Sequence, residues 1–328
     1  MISIILPTYN SRSFLLERLD TIVNQTFEDW ECIVIDGESK DGTWEYLQNI
    51  GNENPKFHLY QSFPRGPYDA WNRGIKKAKG KYIYIATADD TMKYDCLERL
   101  WTALEENKDC GIAHCNLTLI DDKGESTEDQ WSNWGMARFL DKNLHKSHIR
   151  KSPYDAVLYM AYKTAYTSIT QLLVKKSVYD NFGYFRTDFG NIADFEWGLR
   201  TTQCTNTIHV PYYLATWRQH ADQLSDSAHF RTGSYYDCLL NMVFACNKTL
   251  RKIKVESICY LNADLYLPYL KEVLARGTMT QRFRWFFRKP ILSTKILYQY
   301  LLKTSSTSSI FLKAQINKMQ LNKNLLNI

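Results

Sequence analysis

The chain reads as an α/β protein: a doubly wound, mostly parallel sheet flanked by helices and followed by a helical C-terminal extension. Three observations lead there. Short apolar runs of strand length alternate with amphipathic runs of helix length through the first third. The connections between them are short, and right-handed crossovers turn repeated βα units into a parallel sheet covered on both faces. From about residue 228 onward the patterns are helical.

In order, "ISIILP" is a strand and "SRSFLLERLDTIVNQ" an amphipathic helix opened by Asn10 or Ser11. "WECIVID" is a second strand, "DGTWEYLQNI" a helix, "FHLYQS" a third strand and "YDAWNRGIKKAKG" a helix closed by Gly80. "YIYIATADDT" follows. Its uncharged first half, Tyr82 to Ala86, suits a strand buried on both faces. "YDCLERLWTALEEN" is helical, and "CGIAHCNLTLIDDKGE" is a strand ending in a turn. Residues 125 to 165 show no sustained period. "SITQLLVKKSVYDNFG" then gives strand, helix and glycine cap, "ADFEWGLRTTQ" a helix, and "TIHVPYYLATWRQH" one or two strands. "KTSSTSS", 303 to 309, reads as a linker.

Composition narrows the setting. At 328 residues the chain can bury a large core, as one big domain or two modest ones. Its 8 cysteines include no C-x-x-C pair, so reduced, buried thiols in the cytoplasm are expected rather than a zinc knuckle or disulfide framework. "MISIILPTYN" lacks the basic start of a signal peptide, and no segment approaches 18 uninterrupted apolar residues. The net charge of +6 belongs to the tail. From Lys271 onward there are 11 Lys and Arg against one acid, Glu272, which leaves the rest slightly acidic. With the basic residues outside the patterned module and no recognisable motif, nucleic acid is not an expected partner.

In open α/β sheets ligands bind beyond the carboxyl ends of the strands. Asp89 and Asp90 stand there, as does Asp36 at the end of "CIVID", with the loop "GESKDGT" after it. "PTYN" puts Thr8, Tyr9 and Asn10 on the same edge. Neighbours on an extended chain point to opposite sides, so one acid of the pair can accept from a ribose while the other takes a divalent cation, Mg²⁺ or Mn²⁺. The bland alternative makes the acids a turn and a helix cap. Familiar phosphate motifs fail: Gly74 and Gly80 are one residue too far apart for a phosphate loop, and no G-x-G-x-x-G follows a strand.

"ILPTYN", "VIDGESKDGT", "GPYDAWNRGIKKAKGKYIYIATADD" and "IADFEWGLR", in this order, closely resemble family 2 glycosyltransferases of the GT-A fold. The likeness is greatest to bacterial members that build surface polysaccharides, and it covers roughly residues 1 to 225. It implies a catalytic domain over 1–225, with a nucleotide-sugar-binding half (1–120) and an acceptor-facing half (121–225), followed by the basic helical region 226–328. The reaction implied is transfer from a nucleotide sugar, UDP-linked, to a hydroxyl of a glycan or lipid-linked glycan, with inversion.

Carried over residue by residue, the resemblance gives Asp36 to the base, Asp89 to the ribose and Asp90 to the Mn²⁺ or Mg²⁺ that bridges the diphosphate. Pro7, Thr8, Tyr9, Arg65, Asp69 and Asn72 line the nucleotide pocket. Asp194 matches the catalytic base at the start of a helix, and Glu196, two positions on, points to a different face. His220 is a candidate further metal or phosphate contact. The chain departs from the family pattern in Ala88 before the acids, in the long middle segment and in the basic tail.

Other readings stay open. A glycoside hydrolase needs two carboxylates about 5–9 Å apart, which adjacent acids cannot provide but a pair with Asp194 could. A sugar nucleotidyltransferase expects a Gly-rich basic loop where "LPTYNSRS" stands. A nucleotide-binding module without turnover is the non-enzyme alternative. For the tail, Trp285, Phe286 and Phe287 among Arg282, Arg284, Arg288 and Lys289 are expected to form a wedge on the anionic inner face of the cell membrane, bent at Pro290. The competing expectation is that these aromatics pack on the catalytic domain.

Overall fold

Strands β1 (Ile2–Thr8), β2 (Trp30–Asp36), β3 (Phe57–Gln61) and β4 (Tyr82–Ile85) lie in the order β3-β2-β1-β4, all parallel. Helices α1 (Arg12–Val23), α2 (Thr43–Glu53) and α3 (Pro67–Lys77) make the crossovers. In the computed structural model the described residues are 1–128, 130–162, 164–220, 233–256, 267–288, 290–291, 293–294 and 325–327. The register decides where the site falls. Thr8 pairs with Asp36, Asp36 with Gln61, and Ile5 with Ile85. The residues after Ile85 therefore come level with the ends of β1 and β2. Helix α3 stops at Lys77, three residues short of the expected Gly80. Gly80 instead lets the chain pass against β1, where a Cβ would lie 2.7 Å from the Ser3 nitrogen.

The second half returns into the same sheet. After α4 (Cys96–Glu106) come β5 (Cys110–Ile120), α5 (Gly135–Leu140), β6 (His148–Arg150), α6 (Tyr154–Tyr162), β7 (Leu172–Lys175), α7 (Lys176–Phe182), α8 (Ala193–Thr201) and β8 (Asn206–Arg218). With β9 (Leu325–Asn327), the full order is β3-β2-β1-β4-β7-β5-β8-β6-β9. Strands β6 and β7 run against the others. The stretch expected to hold one or two strands is a single strand of 13 residues, paired with β5 through three irregularities in register.

The described part of the C-terminal region holds the helices α9 (Gly233–Lys252), α10 (Leu267–Arg276) and α11 (Met279–Arg288), and departs from the helical expectation in β9. Leu239, Met242, Val243, Leu270 and Val273 join the core of the sheet domain. The Tyr269 hydroxyl donates to the Met160 carbonyl, 2.8 Å away on α6. Trp285 is not part of an exposed wedge: it is buried, stacked on Phe244 at 5.4 Å, with its indole N–H donated to Asp237. Lys289, residues 295–303 and the 303–309 stretch lie outside the described residues, as does the expected boundary at 225. No helix among the described residues is long and apolar enough to cross a membrane.

Three histidines form a row across β5, β8 and β6. His114 pairs with His209, and His209 with His148. The Nδ1 atoms of His114 and His209 are 3.1 Å apart, and the rings of His148 and His209 are 4.8 Å apart. Burial, and then the Arg150 charge, pull the pKa of His148 down to about 4 and those of His114 and His209 well below the ordinary range. The folded state thus holds them neutral, whereas the unfolded chain takes up protons below about pH 6.5. Their contribution to stability is full above that pH and is lost as pH falls toward 4. Thermal melts from pH 7.5 to 4.5 should show this loss, and His209→Gln should flatten it. An unchanged slope in the variant would remove the row as the cause.

A close approach sets the position of α8. A Cβ on Gly198 would lie 2.0 Å from the Tyr159 hydroxyl oxygen of α6. Gly198→Ala gains about 1 kcal/mol of helix propensity, against an overpacking cost of about 1–3 kcal/mol. The expected result is a melting temperature lower by a few degrees. An equal or higher one would mean that Tyr159 steps aside at no cost.

Candidate active site

A cavity of about 1020 Å³ opens at the carboxyl edge of β1 and β2. Of the residues expected at a site, Pro7, Thr8, Tyr9, Arg65 and Asp69 line it from the first half. Asp89, Asp90, Asp194 and His220 line it as well. Asp36 and Asn72 do not.

The acid pair follows β4 and is fastened to β8. The Thr216 N–H donates to the Thr91 carbonyl (3.1 Å), and the Lys93 N–H to the Leu214 carbonyl (2.8 Å). Asp90 is buried, with one carboxylate oxygen accepting from the Thr87 hydroxyl (2.5 Å) and the other from the Arg218 N–H (2.8 Å). Burial, and then the charge of Asp89, push its carboxyl up to about 7. The Asp89 side chain is 32% exposed, and Nε2 of His220 lies 3.2 Å from its Oδ2.

Arg218, the last residue of β8, was not singled out in the sequence. Its guanidinium donates to the carbonyls of Asp89 (2.7 Å), Asp121 (3.1 Å) and Asp122 (3.2 Å), and to the Glu17 carboxylate (2.5 Å). Only its place at the end of an apolar strand, two residues before His220, hinted at this. The buried Arg18 guanidinium stands over the Tyr84 ring at 5.8 Å and adds positive charge toward Asp90.

Across the cavity, Asp194 sits in the first turn of α8. Its Oδ1 accepts from the Phe195 N–H (2.8 Å) and from the Tyr68 hydroxyl (3.1 Å) of α3. The Tyr68 oxygen is also 3.1 Å from the Asn191 carbonyl. Burial raises the Asp194 pKa, and the two hydrogen bonds oppose it. Glu196 is buried in a two-pronged pair with Arg200, both contacts 2.8 Å, and does not line the cavity. Asp194 is therefore the acid of this helix that faces the open space.

At the carboxyl ends of β1 and β2, Asp36 is enclosed behind Ile35 and Gly37, which line the wall. Its carboxylate accepts from the Thr8 hydroxyl (2.9 Å), the Ser39 hydroxyl (2.6 Å) and N–H (3.0 Å), and the Gln61 amide (3.1 Å). It shapes the turn behind the cavity wall. Asn72 donates to the Phe185 carbonyl (2.8 Å) and accepts from the Phe185 N–H (3.0 Å), so it staples α3 to the segment before α8. Asp69 pairs with Arg73 at 2.8 Å. Tyr9 and Phe63, 60% and 66% exposed, stand at the mouth as flat apolar surfaces. Phe63 carried no sequence signal beyond its place just after β3.

Among the described residues no three His, Cys, Asp or Glu side chains form a complete metal cage. The acid pair nonetheless suits a divalent cation whose shell is completed by phosphate oxygens and water. Its donors are hard oxygens, and both acids line the cavity side by side.

Relatives and solved structures place the chain in a family and a fold. The GalNAc(5)-diNAcBac-PP-undecaprenol beta-1,3-glucosyltransferase of Campylobacter jejuni is 25% identical over 194 residues, 58% of this chain and 57% of that one. The matched stretch takes in less than half of the length of two other curated glycosyltransferases, 18% and 49%. Staphylococcus aureus TarS 1–349 in complex with UDP-GlcNAc superposes with a TM-score of 0.59 at 14% identity, over 84% of this chain and 72% of that one. The mannosyltransferase PcManGT of Pyrobaculum calidifontis, in complex with GDP-Man and Mn²⁺, gives 0.51 at 17% identity over 96% and 86%. At these identities the two structures speak for the fold, which is that of GT-A glycosyltransferases. The sequence model described as glycosyl transferase family 2 matches residues 3–183, more than half of the chain, and the chain belongs to that family.

Proposed function

We propose that the protein transfers a sugar from a UDP-sugar to an acceptor hydroxyl with inversion at the anomeric carbon, in the synthesis of a bacterial surface glycan or lipid-linked glycan. The observation that carries this is the placement of the Asp89–Asp90 pair and of Asp194 on one cavity. Asp194 takes the proton from the acceptor hydroxyl. That oxygen forms its bond to the anomeric carbon while the bond from carbon to the diphosphate oxygen breaks on the opposite face, and the electron pair leaves with the nucleoside diphosphate. Burial makes Asp194 a stronger base than a free aspartate, as the role requires.

Asp89 and Asp90, with His220 beside them, would hold Mn²⁺ or Mg²⁺. The cation would supply Lewis-acid stabilisation of the departing diphosphate. Tyr9 and Phe63, exposed on the cavity wall, offer stacking surfaces for the base. Pro7, Thr8, Arg65 and Asp69 complete the nucleotide wall, and Asp36 holds the turn bearing Gly37. The seven free cysteines among the described residues suit the reducing cytoplasm.

A screen of nucleotide sugars with Mn²⁺, scored by nucleotide release, tests the reading as a whole. UDP binding measured by calorimetry should weaken strongly when EDTA is added, and Asp90→Asn should abolish the difference. Equal UDP affinity with and without EDTA in the unaltered protein would remove the metal.

Asp194→Asn should keep UDP binding and lose about 10²–10⁴ in turnover. Tyr68→Phe removes a hydrogen bond that favours the ionised carboxylate, so the pKa of Asp194 rises further. The acid limb of the kcat profile should then move to higher pH with little change in donor KM. A limb that stays in place would mean that Tyr68 serves packing alone.

A further inference from the structure

We propose that the exposed face of α11 is a docking surface for an anionic membrane. This helix has two unlike sides. Inward, Trp285 stacks on Phe244, and Asp237 of α9 receives both the Trp285 N–H and the Arg284 guanidinium. Outward, Met279, Phe283, Phe286 and Phe287 recur at helical spacing, and Ile291 follows just beyond the helix. Phe283, Phe287 and Ile291 are 56%, 74% and 84% exposed. The rings of Phe283 and Phe287 stack at 6.4 Å, and those of Phe286 and Phe287 meet edge-on at 5.8 Å. A helix of a water-soluble domain turns such residues inward. This one keeps a single aromatic inside and presents three to the surroundings.

The charge around the face selects the occupant. Arg282 and Arg288, both exposed, flank it, while Arg284 is paired with Asp237, and the sequence contains no Asp or Glu after Glu272. Apolar side chains ringed by cations match acyl chains beneath anionic headgroups. A second copy of the chain would bring two positive faces together. Nucleic acid would meet Met279 and Ile291, which have no ring to stack on a base.

The placement of the face is informative as well. Tyr235 of α9 lines the cavity, and two residues further along, Asp237 anchors α11. A membrane under α11 is therefore tied to the same turn of α9 that borders the cavity. The docking rests on α11 alone. Its meaning, delivery of the cavity to a lipid-linked acceptor, rests on the proposed glycosyl transfer.

The test uses the full chain and flotation with vesicles of phosphatidylcholine, with or without phosphatidylglycerol, in low salt. Binding to the anionic vesicles alone, weakened by added salt, is expected. The joint substitution Phe283→Ser and Phe287→Ser should weaken it roughly tenfold or more, since each ring otherwise leaves water for the acyl region. Melting temperature and UDP binding should stay as in the unaltered chain, which separates failure of docking from failure of the proposed transfer. Equal vesicle binding by the variant, or none by either protein, overturns the proposal. A dimer, or an oligonucleotide complex, lost in the variant while vesicles are ignored would assign the face to that partner instead.

Discussion

Two neighbouring carboxylates are held where one of them is dry, and most of the fold is arranged around keeping them there. Placed alone in an apolar interior, the Asp90 carboxylate would take up a proton or turn outward to water. The chain prevents the second outcome by giving each oxygen of Asp90 a donor, Thr87 on its own loop and the Arg218 N–H on β8. Arg218 can serve only because β8 reaches the same edge of the sheet as β4, which takes all 13 of its residues and the irregular pairing with β5. Its guanidinium then draws in Glu17 of α1 and the turn after β5.

The opposite wall is assembled by a different kind of contact. α3 belongs to the first half of the chain, yet two of its residues serve the second. Tyr68 reaches Asp194, and Asn72 grips the backbone of Phe185. Around them Trp71, Phe185, Trp197 and Tyr179 form a continuous aromatic cluster. This dry support lets α8 present a half-buried acid while Gly198 brings the helix against α6. The acid that remains free is thus chosen by its neighbours: Glu196, with Arg200 one turn away, is consumed by an ion pair.

The four parallel strands were legible because each is a short uncharged run bounded by polar turns, and their ends located the acid pair. Residues 125 to 165 were not, for two physical reasons. β6 is three residues long, too short to show alternation, and α6 is buried through Tyr154 to Met160, which leaves no polar face to mark a period. The place of Asp194 at the start of a helix was legible through its motif, whereas the contact of Tyr68 was not, because its partner lies 126 positions away. Arg218 was hidden for the same reason, since its acceptors are mostly backbone carbonyls. In the tail, composition revealed aromatics among cations but not which ring turns inward. That choice depends on Asp237 and Phe244 of another helix.

Strand β7 lies between β4 and β5, running against both, and so joins the two halves of the chain through one unbroken hydrogen-bonded ladder. A molecule built this way has no hinge line. Swinging one half from the other would tear the β4–β7 pairing from Tyr82 to Tyr84, at the centre of the core. Whatever enters or leaves the cavity must therefore do so past loops at its rim, over a sheet that stays still.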